Sequence, residues 1–219
     1  MAGNPARCRN SLLAAAVAAA LAFAAPSARA AETDPVYIGA IYNLTGSQSA
    51  LDLPSARGAE LAVAEANRAG GVLGRRIRLI VRDGETSPAT IARKTADILG
   101  TFPQTAALMG LSDSDMAVAA APVAARAGRV FLTSGATSPL LPAQAPGHLM
   151  LACFGDNVQA AAAAEWAYRT LGAHTVSVLF NDGMSYTDLL HRYFETRFRE
   201  LGGRVLRTAS YSPATLARA

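Results

Sequence analysis

The side chains best suited to chemistry in this chain of 219 residues are hydroxyl groups and glycines that directly follow predicted strands. Three such loops contain the candidate residues Ser114, then Gly135, Ala136 and Thr137, and finally Tyr186. Each loop precedes a predicted helix, where free N–H groups and the helix dipole favour an anion such as a carboxylate. In any single loop, helix capping or turn formation is the simpler interpretation. Because the pattern recurs at several strand ends, ligand binding and capping both stay open as interpretations.

Catalytic motifs are missing from the sequence. It contains no G-x-S-x-G elbow, no P-loop and no G-x-G-x-x-G fingerprint, so an enzyme on a nucleotide-binding sheet lacks its phosphate loop. Asp113 and Asp115 flank Ser114, but carboxylates at a helix start are typical capping and dipole-stabilising residues. Beyond the N-terminal segment, Cys153 is the lone cysteine, and the three histidines have no zinc-site spacing. The sequence predicts a protein that is not an enzyme and needs no cofactor or metal.

Short β-rich runs alternate with alanine-rich helical stretches along the chain. Strands are predicted at 36–41, 78–81, 105–109, 130–133, 148–154, 175–180 and 204–211, and helices at 54–69, 87–99, 115–127, 157–171 and 186–201. Strict alternation predicts an α/β fold with parallel sheets flanked by helices. In such sheets, ligands bind outside the carboxyl ends of the strands, where the candidate loops lie. The loop at 136–147, rich in Gly, Pro and Ala, is the predicted break between two runs.

Residues 1–30 have the pattern of a secretory signal peptide. Arg7 and Arg9 precede an apolar run at 12–25, and Ala28 and Ala30 are small residues at the cleavage positions. The run is shorter than the roughly 20 residues that span a bilayer, so we expect cleavage after Ala30 and a periplasmic location. The 20 basic residues less the three arginines of this segment leave 17 against 16 acidic residues. This near-neutral balance argues against a nucleic-acid partner.

Several sequence blocks occur together in a familiar order. They are IGA at 38–40, LTG at 44–46, GAELA at 58–62, AGGVLG at 69–74, RDGETSP at 82–88, PVA at 122–124 and SGATSP at 134–139. On these blocks, the chain resembles the leucine/isoleucine/valine-binding protein family from residue 36 to about 211. These are the type I periplasmic binding proteins of ABC importers. The resemblance implies a fold of two lobes that close on a ligand through a hinge, without catalysis.

The resemblance also implies roles for the candidate residues. Ser114 falls on a serine that contacts the α-carboxylate of the ligand, and Tyr186 falls on a tyrosine that closes over the ligand from the second lobe. The segment of Gly135, Ala136 and Thr137 falls where backbone and hydroxyl groups hold the ligand carboxylate and ammonium. Leu51 stands where branched-chain binders often carry an aromatic residue against the ligand side chain. The identity of the amino acid therefore stays open.

The resemblance implies a domain plan and partners. Residues 1–30 form the signal peptide, 31–153 the first lobe, and 154–219 the start of a second lobe that we expect to be incomplete. The implied ligand is a branched-chain or similar small amino acid or amide, and the implied partners are ABC permease subunits of the inner membrane. Two alternatives are a truncated product that binds nothing and a ligand-sensing module of the same fold.

Overall fold

The computed structural model describes residues 34–212, which contain seven β-strands and six α-helices. The strands are β1 (Val36–Tyr42), β2 (Ile77–Asp83), β3 (Ala107–Gly110), β4 (Phe131–Thr133), β5 (Leu149–Leu151), β6 (Thr175–Asn181) and β7 (Arg204–Tyr211). The helices are α1 (Ser49–Arg68), α2 (Pro88–Thr101), α3 (Ser114–Arg126), α4 (Leu141–Gln144), α5 (Asp156–Glu165), which continues as a π-helical turn (Trp166–Thr170), and α6 (Ser185–Glu200). The predicted signal peptide lies outside the described residues.

The first sheet has five parallel strands in the order β2-β1-β3-β4-β5. Successive residues of β1 point to opposite faces, so Ile41 packs with α2 and α3, whereas Ala40 and Tyr42 pack against α1. The larger core contains fully buried Leu108 and Phe131. The predicted α/β class, with a parallel sheet flanked by helices, is confirmed for this part of the chain.

Side-chain caps are present at two of the six helix starts within residues 34–212, those of α2 and α3. The Ser87 side chain accepts a hydrogen bond from the Thr90 N–H at 3.3 Å, and Pro88 is the first residue of α2. The predicted start of α1 at Pro54 is wrong, because the helix already begins at Ser49. Pro54 instead lies inside the helix, where it has no N–H to donate to the carbonyl four residues earlier, so proline did not mark the first helical position here.

The predicted chain break at residues 136–147 is also wrong. The segment contains α4 and leads into β5, which pairs in parallel with β4 through Leu132 and Met150. Its glycines and prolines resemble a linker in composition, but the chain on both sides of it belongs to the same sheet. The chain therefore leaves the first sheet after Leu151.

The second sheet consists of β6 and β7, which are parallel. Helix α6 packs against α5 and places Phe198, fully buried, in their shared interior. An ion pair between Arg197 and Glu165 joins the two helices. Large apolar side chains of the sheet remain exposed, with Leu179 at 68 % and Leu206 at 57 %. No helix within residues 34–212 is long and apolar enough to cross a bilayer.

Candidate ligand-binding site

A cavity of about 470 Å³ lies where the first-sheet loops face the beginnings of α5 and α6. Its lining residues are Leu51, Ser112, Asp113, Ser114, Gly135 and Thr137 on one wall and Gln159, Met184 and Tyr186 on the other. The structure thus brings together five of the six residues singled out from the sequence: Leu51, Ser114, Gly135, Thr137 and Tyr186. The sixth, Ala136, is fully buried and does not line the cavity.

The loop after β3 reaches the cavity through a sharp change of direction. Gly110 has φ +131°, and a Cβ at this position would lie 1.8 Å from the carbonyl oxygen of Ile41. Only glycine fits such a conformation and approach. The next residue, Leu111, also has positive φ and donates its N–H to the same Ile41 carbonyl at 3.1 Å. These two residues direct the chain over the end of the sheet into α3.

Ser114 is the first residue of α3 and is almost fully buried. Its Oγ accepts a hydrogen bond from the Ser138 N–H at 3.2 Å, which ties the loops after β3 and β4 together. A hydroxyl that accepts one bond still has its own proton to donate. Together with the N-terminal end of the α3 dipole, this proton suits a ligand carboxylate.

Ala136 is held by its neighbours rather than turned to the cavity. Its N–H donates to Thr133 Oγ1 at 3.1 Å, and Thr133 in turn donates to the Leu111 carbonyl at 2.7 Å. The Ala136 carbonyl accepts a weak bond from Cys153 Sγ at 3.4 Å. The Ala136 N–H is therefore already used in shaping the loop that presents Gly135 and Thr137.

Asp52 is a positioning residue that the sequence analysis missed. It lies on the buried stripe of α1 with Ala56 and Ala59 and is only 1 % exposed. One carboxylate oxygen accepts the Asn43 N–H at 2.8 Å, and the other accepts the Ser112 N–H at 2.9 Å. The carboxylate therefore joins the loops after β1 and β3. An acidic residue in phase with buried alanines was the signal that could have revealed it.

Two further carboxylates order loops at the same edge of the first sheet. Asp83 accepts bonds from the backbone N–H groups of Leu44, Thr45 and Glu85 and from the Thr45 hydroxyl. Burial alone would raise the pKa of Asp83, but these donors outweigh it and hold the pKa below its ordinary value. Asp113 caps α3 by accepting the Asp115 and Met116 N–H groups. Burial raises the pKa of Asp113, despite these two N–H donors.

A buried carboxylate stands directly behind Thr137. Asp156, the first residue of α5, is fully buried, and its N–H donates to the Thr137 carbonyl at 2.8 Å. Neither of its carboxylate oxygens makes a full hydrogen bond within the described residues. Burial therefore raises the pKa of Asp156, although the nearby Thr137 hydroxyl favours the charged form. The ionised form of Asp156 therefore destabilises the folded protein next to the cavity.

The opposite wall comes from the region of the second sheet. Tyr186 lies in the first turn of α6, and its hydroxyl approaches Gln159 Oε1 at 3.5 Å. Gln159 and Met184 were not predicted as site residues: the resemblance pointed only to Tyr186 on this wall, and no local pattern marks Gln159 or Met184 as facing a ligand. Met184 and Leu51 add apolar surface to a cavity that otherwise carries hydroxyl, amide and carboxylate groups.

The donor set suits an organic molecule rather than a metal ion. Among residues 34–212, no cluster of three or more histidine, cysteine or carboxylate side chains could hold a metal. The cavity instead offers a hydroxyl at a helix N-terminus, a carboxylate close by and apolar side chains. Such a combination matches a small zwitterion with an apolar part.

Comparison with known proteins decides the family. Residues 35–217 match a family model described as periplasmic binding protein. The chain belongs to the periplasmic binding protein family. Within this family, a Leu/Ile/Val-binding protein of Rhizobium johnstonii is 30 % identical over 171 residues, which are 78 % of this chain and 45 % of that protein. The resemblance drawn from the sequence blocks is thereby confirmed.

Solved structures of this family agree with the fold. A branched-chain amino acid transporter substrate binding protein of Streptococcus pneumoniae, in complex with isoleucine, superposes with a TM-score of 0.75 at 24 % identity. The match covers 82 % of this chain and 50 % of that one. An ABC transporter substrate-binding protein of Desulfitobacterium hafniense, in complex with Leu, gives a TM-score of 0.71 at 27 % identity, covering 84 % and 54 %. The chain spans about half the length of these periplasmic binding proteins.

Proposed function

We propose that this chain captures a small amino acid, branched-chain or similar, as the solute-binding component of an ABC importer. The observation that carries the proposal is the cavity in which Ser114 and Thr137 face Tyr186. Its support comes from family membership and from relatives described as Leu/Ile/Val-binding proteins. Two solved structures of similar fold are described in complex with isoleucine and with Leu.

The two ends of an amino acid have matching groups in the cavity. The α-carboxylate would accept the proton of the Ser114 hydroxyl and lie at the positive end of α3, where negative charge is favoured. The ammonium group would lie toward Thr137 and the Asp113 carboxylate, which supplies negative charge to the same wall. Tyr186 would then cover the bound ligand from the opposite side.

The ligand side chain would lie against Leu51 and Met184. Both are flexible and apolar, and a thioether adapts to ligands of different shape. A cavity of about 470 Å³ is large enough for an aliphatic amino acid. This wall supports a preference for aliphatic over charged side chains.

The proposal includes a location and partners. A signal peptide at residues 1–30 would direct the protein to the periplasm, where it would deliver its ligand to ABC permease subunits in the inner membrane. Mass spectrometry of periplasmic material should find a chain that begins at Ala31. A mature protein that still carries Met1 would contradict the proposed export.

The decisive test is calorimetry with a panel of amino acids on the wild type and on Ser114→Ala. A hydrogen bond to a charged group is worth about 1.5–3 kcal/mol, so the substitution should weaken binding roughly tenfold to a hundredfold. Ser177→Ala is the matched control, because Ser177 lies on β6, exposed and away from this cavity. If the wild type binds no amino acid, the alternative of a chain that binds nothing is supported instead. Equal affinities of Ser114→Ala and wild type would exclude Ser114 as the carboxylate contact.

A further inference from the structure

Two helix N-termini meet beside the cavity. Asp115, in the first turn of α3, accepts the Ser185 N–H at 3.3 Å and also the Ser185 hydroxyl. Ser185 is the first residue of α6, and the two residues are 70 positions apart in the chain. This contact therefore connects the region of the first sheet with that of the second.

The start of α6 lacks a cap of its own. The residue before the helix is Met184, and no side-chain cap bond is made there. The first N–H groups of any helix have no partner within the helix and need an acceptor from elsewhere. Asp115 supplies that acceptor from the opposite wall, with a negative charge that the α6 dipole also favours.

The contact between Asp115 and Ser185 lies next to three residues that line the cavity. Asp115 follows Ser114, which lines the first wall, and Ser185 separates Met184 from Tyr186, which both line the second wall. Holding Ser185 in place therefore holds both of its neighbours over the cavity. Breaking the contact would free this wall without removing any group that the ligand itself touches.

We propose that Asp115 is a positioning residue that caps α6 across the cavity and sets the fraction of molecules whose walls are closed before a ligand binds. Its ligand readout rests on the proposed function. The apparent dissociation constant equals the intrinsic constant divided by the closed fraction. Losing the Asp115–Ser185 contact should therefore weaken the affinity for all ligands by one common factor. Losing a residue that touches the ligand should instead change the preference among ligands.

The first experiment compares Asp115→Ala, Ser185→Ala and the double variant by calorimetry with several amino acids. We expect Asp115→Ala to weaken the affinity for every amino acid by about threefold to tenfold, as for the loss of one partly exposed hydrogen-bonded contact. Ser185→Ala keeps the backbone N–H of residue 185 and should lose less affinity than Asp115→Ala. Ser185→Thr keeps the hydroxyl as well and should have most of the wild-type affinity. The double variant should be no weaker than Asp115→Ala, because both changes remove the same contact. Thr196→Ala, at an exposed hydroxyl further along α6, is the matched control.

The second experiment needs no ligand. Small-angle X-ray scattering of the wild type and of Asp115→Ala, which removes both oxygens that accept from Ser185, should show a larger radius of gyration for the variant. Circular dichroism melting confirms that both proteins are folded. Unchanged scattering, a ligand-dependent loss of affinity or additive effects in the double variant would each overturn the proposal. If no amino acid binds the wild type, the proposed function fails, while scattering still tests the contact between the walls.

Discussion

The two walls of the cavity are fixed by different means. Around residues 110–137, buried carboxylates and hydroxyls bond to loop backbone, so the donors that would meet a carboxylate are already in place. Around residues 184–186, the wall depends on the Asp115 contact and on the long Tyr186–Gln159 approach. The comparison teaches that one wall is preorganised for binding, whereas the other can change position at small cost.

The sheet beneath the first wall is also more completely packed than the sheet beneath the second. The first sheet has helices on both faces and a continuous core of fully buried side chains such as Leu108. The two-stranded second sheet leaves Leu179 and Leu206 exposed. Local stability follows buried apolar contact, so we expect hydrogen exchange to be slower in β1 and β3 than in β6 and β7.

Among changes to the cavity walls, the largest effect is expected from breaking the preorganised wall at Asp52. Asp52→Ala leaves the Asn43 and Ser112 N–H groups without their acceptor, which should lower the free energy of unfolding by about 2–4 kcal/mol. Asp52→Asn keeps one acceptor oxygen and should lose roughly half as much. Urea denaturation measures both values. A loss below the error of the method would show that these loops are held without the carboxylate.

An intermediate effect is expected at Asp156, whose charge is buried with too few partners. Above its raised pKa the folded protein must hold this charge, whereas the unfolded chain solvates it, so ionisation lowers stability at neutral pH. Asp156→Asn should therefore raise the melting temperature at pH 7. The gain should shrink as the pH falls through the raised pKa and should be smallest below about 3.9, the ordinary pKa of aspartate, where protonation becomes favoured in the unfolded chain as well.

Melting curves across this pH range test the Asp156 prediction. Asp97→Asn, at an exposed carboxylate of α2, is the matched control and should behave as the wild type. If Asp156→Asn is instead less stable than the wild type at pH 7, the carboxylate must have a stabilising role at the start of α5. The stiffness of the wall behind Thr137 would then depend on that charge.

The smallest effect is expected on the exposed face of the second sheet. Leu179→Thr keeps β propensity and loses little buried area, so its effect on the free energy of unfolding should stay within about 0.5 kcal/mol. Leu108→Ala, in the first core, is the contrasting variant and should cost about 2–5 kcal/mol. Equal losses in the two variants would remove the proposed difference between the two regions.

Much of this arrangement could be predicted from sequence periodicity and capping chemistry. All seven strands and the helix that follows Ser87 were predicted, since β-rich runs and Ser-Pro helix starts depend on neighbouring residues. The β-strand ends pointed to Ser114 and Thr137. Asp52, Asp156 and Gln159 were missed, because their roles depend on which loop or helix packs against them. Contacts of that kind arise from tertiary packing, which local patterns do not contain.

The neighbouring residues 51 and 52 in the first turn of α1 have two different roles. Leu51 points into the cavity and is half exposed, whereas Asp52 is buried and fastens two loops. A mutation at 51 can therefore alter which side chains are accepted while the frame that receives the amino-acid backbone survives. Selection for a new ligand could therefore change residue 51 without passing through variants that fold poorly. Directed evolution of altered preference should accordingly tolerate many residues at 51 and very few at 52.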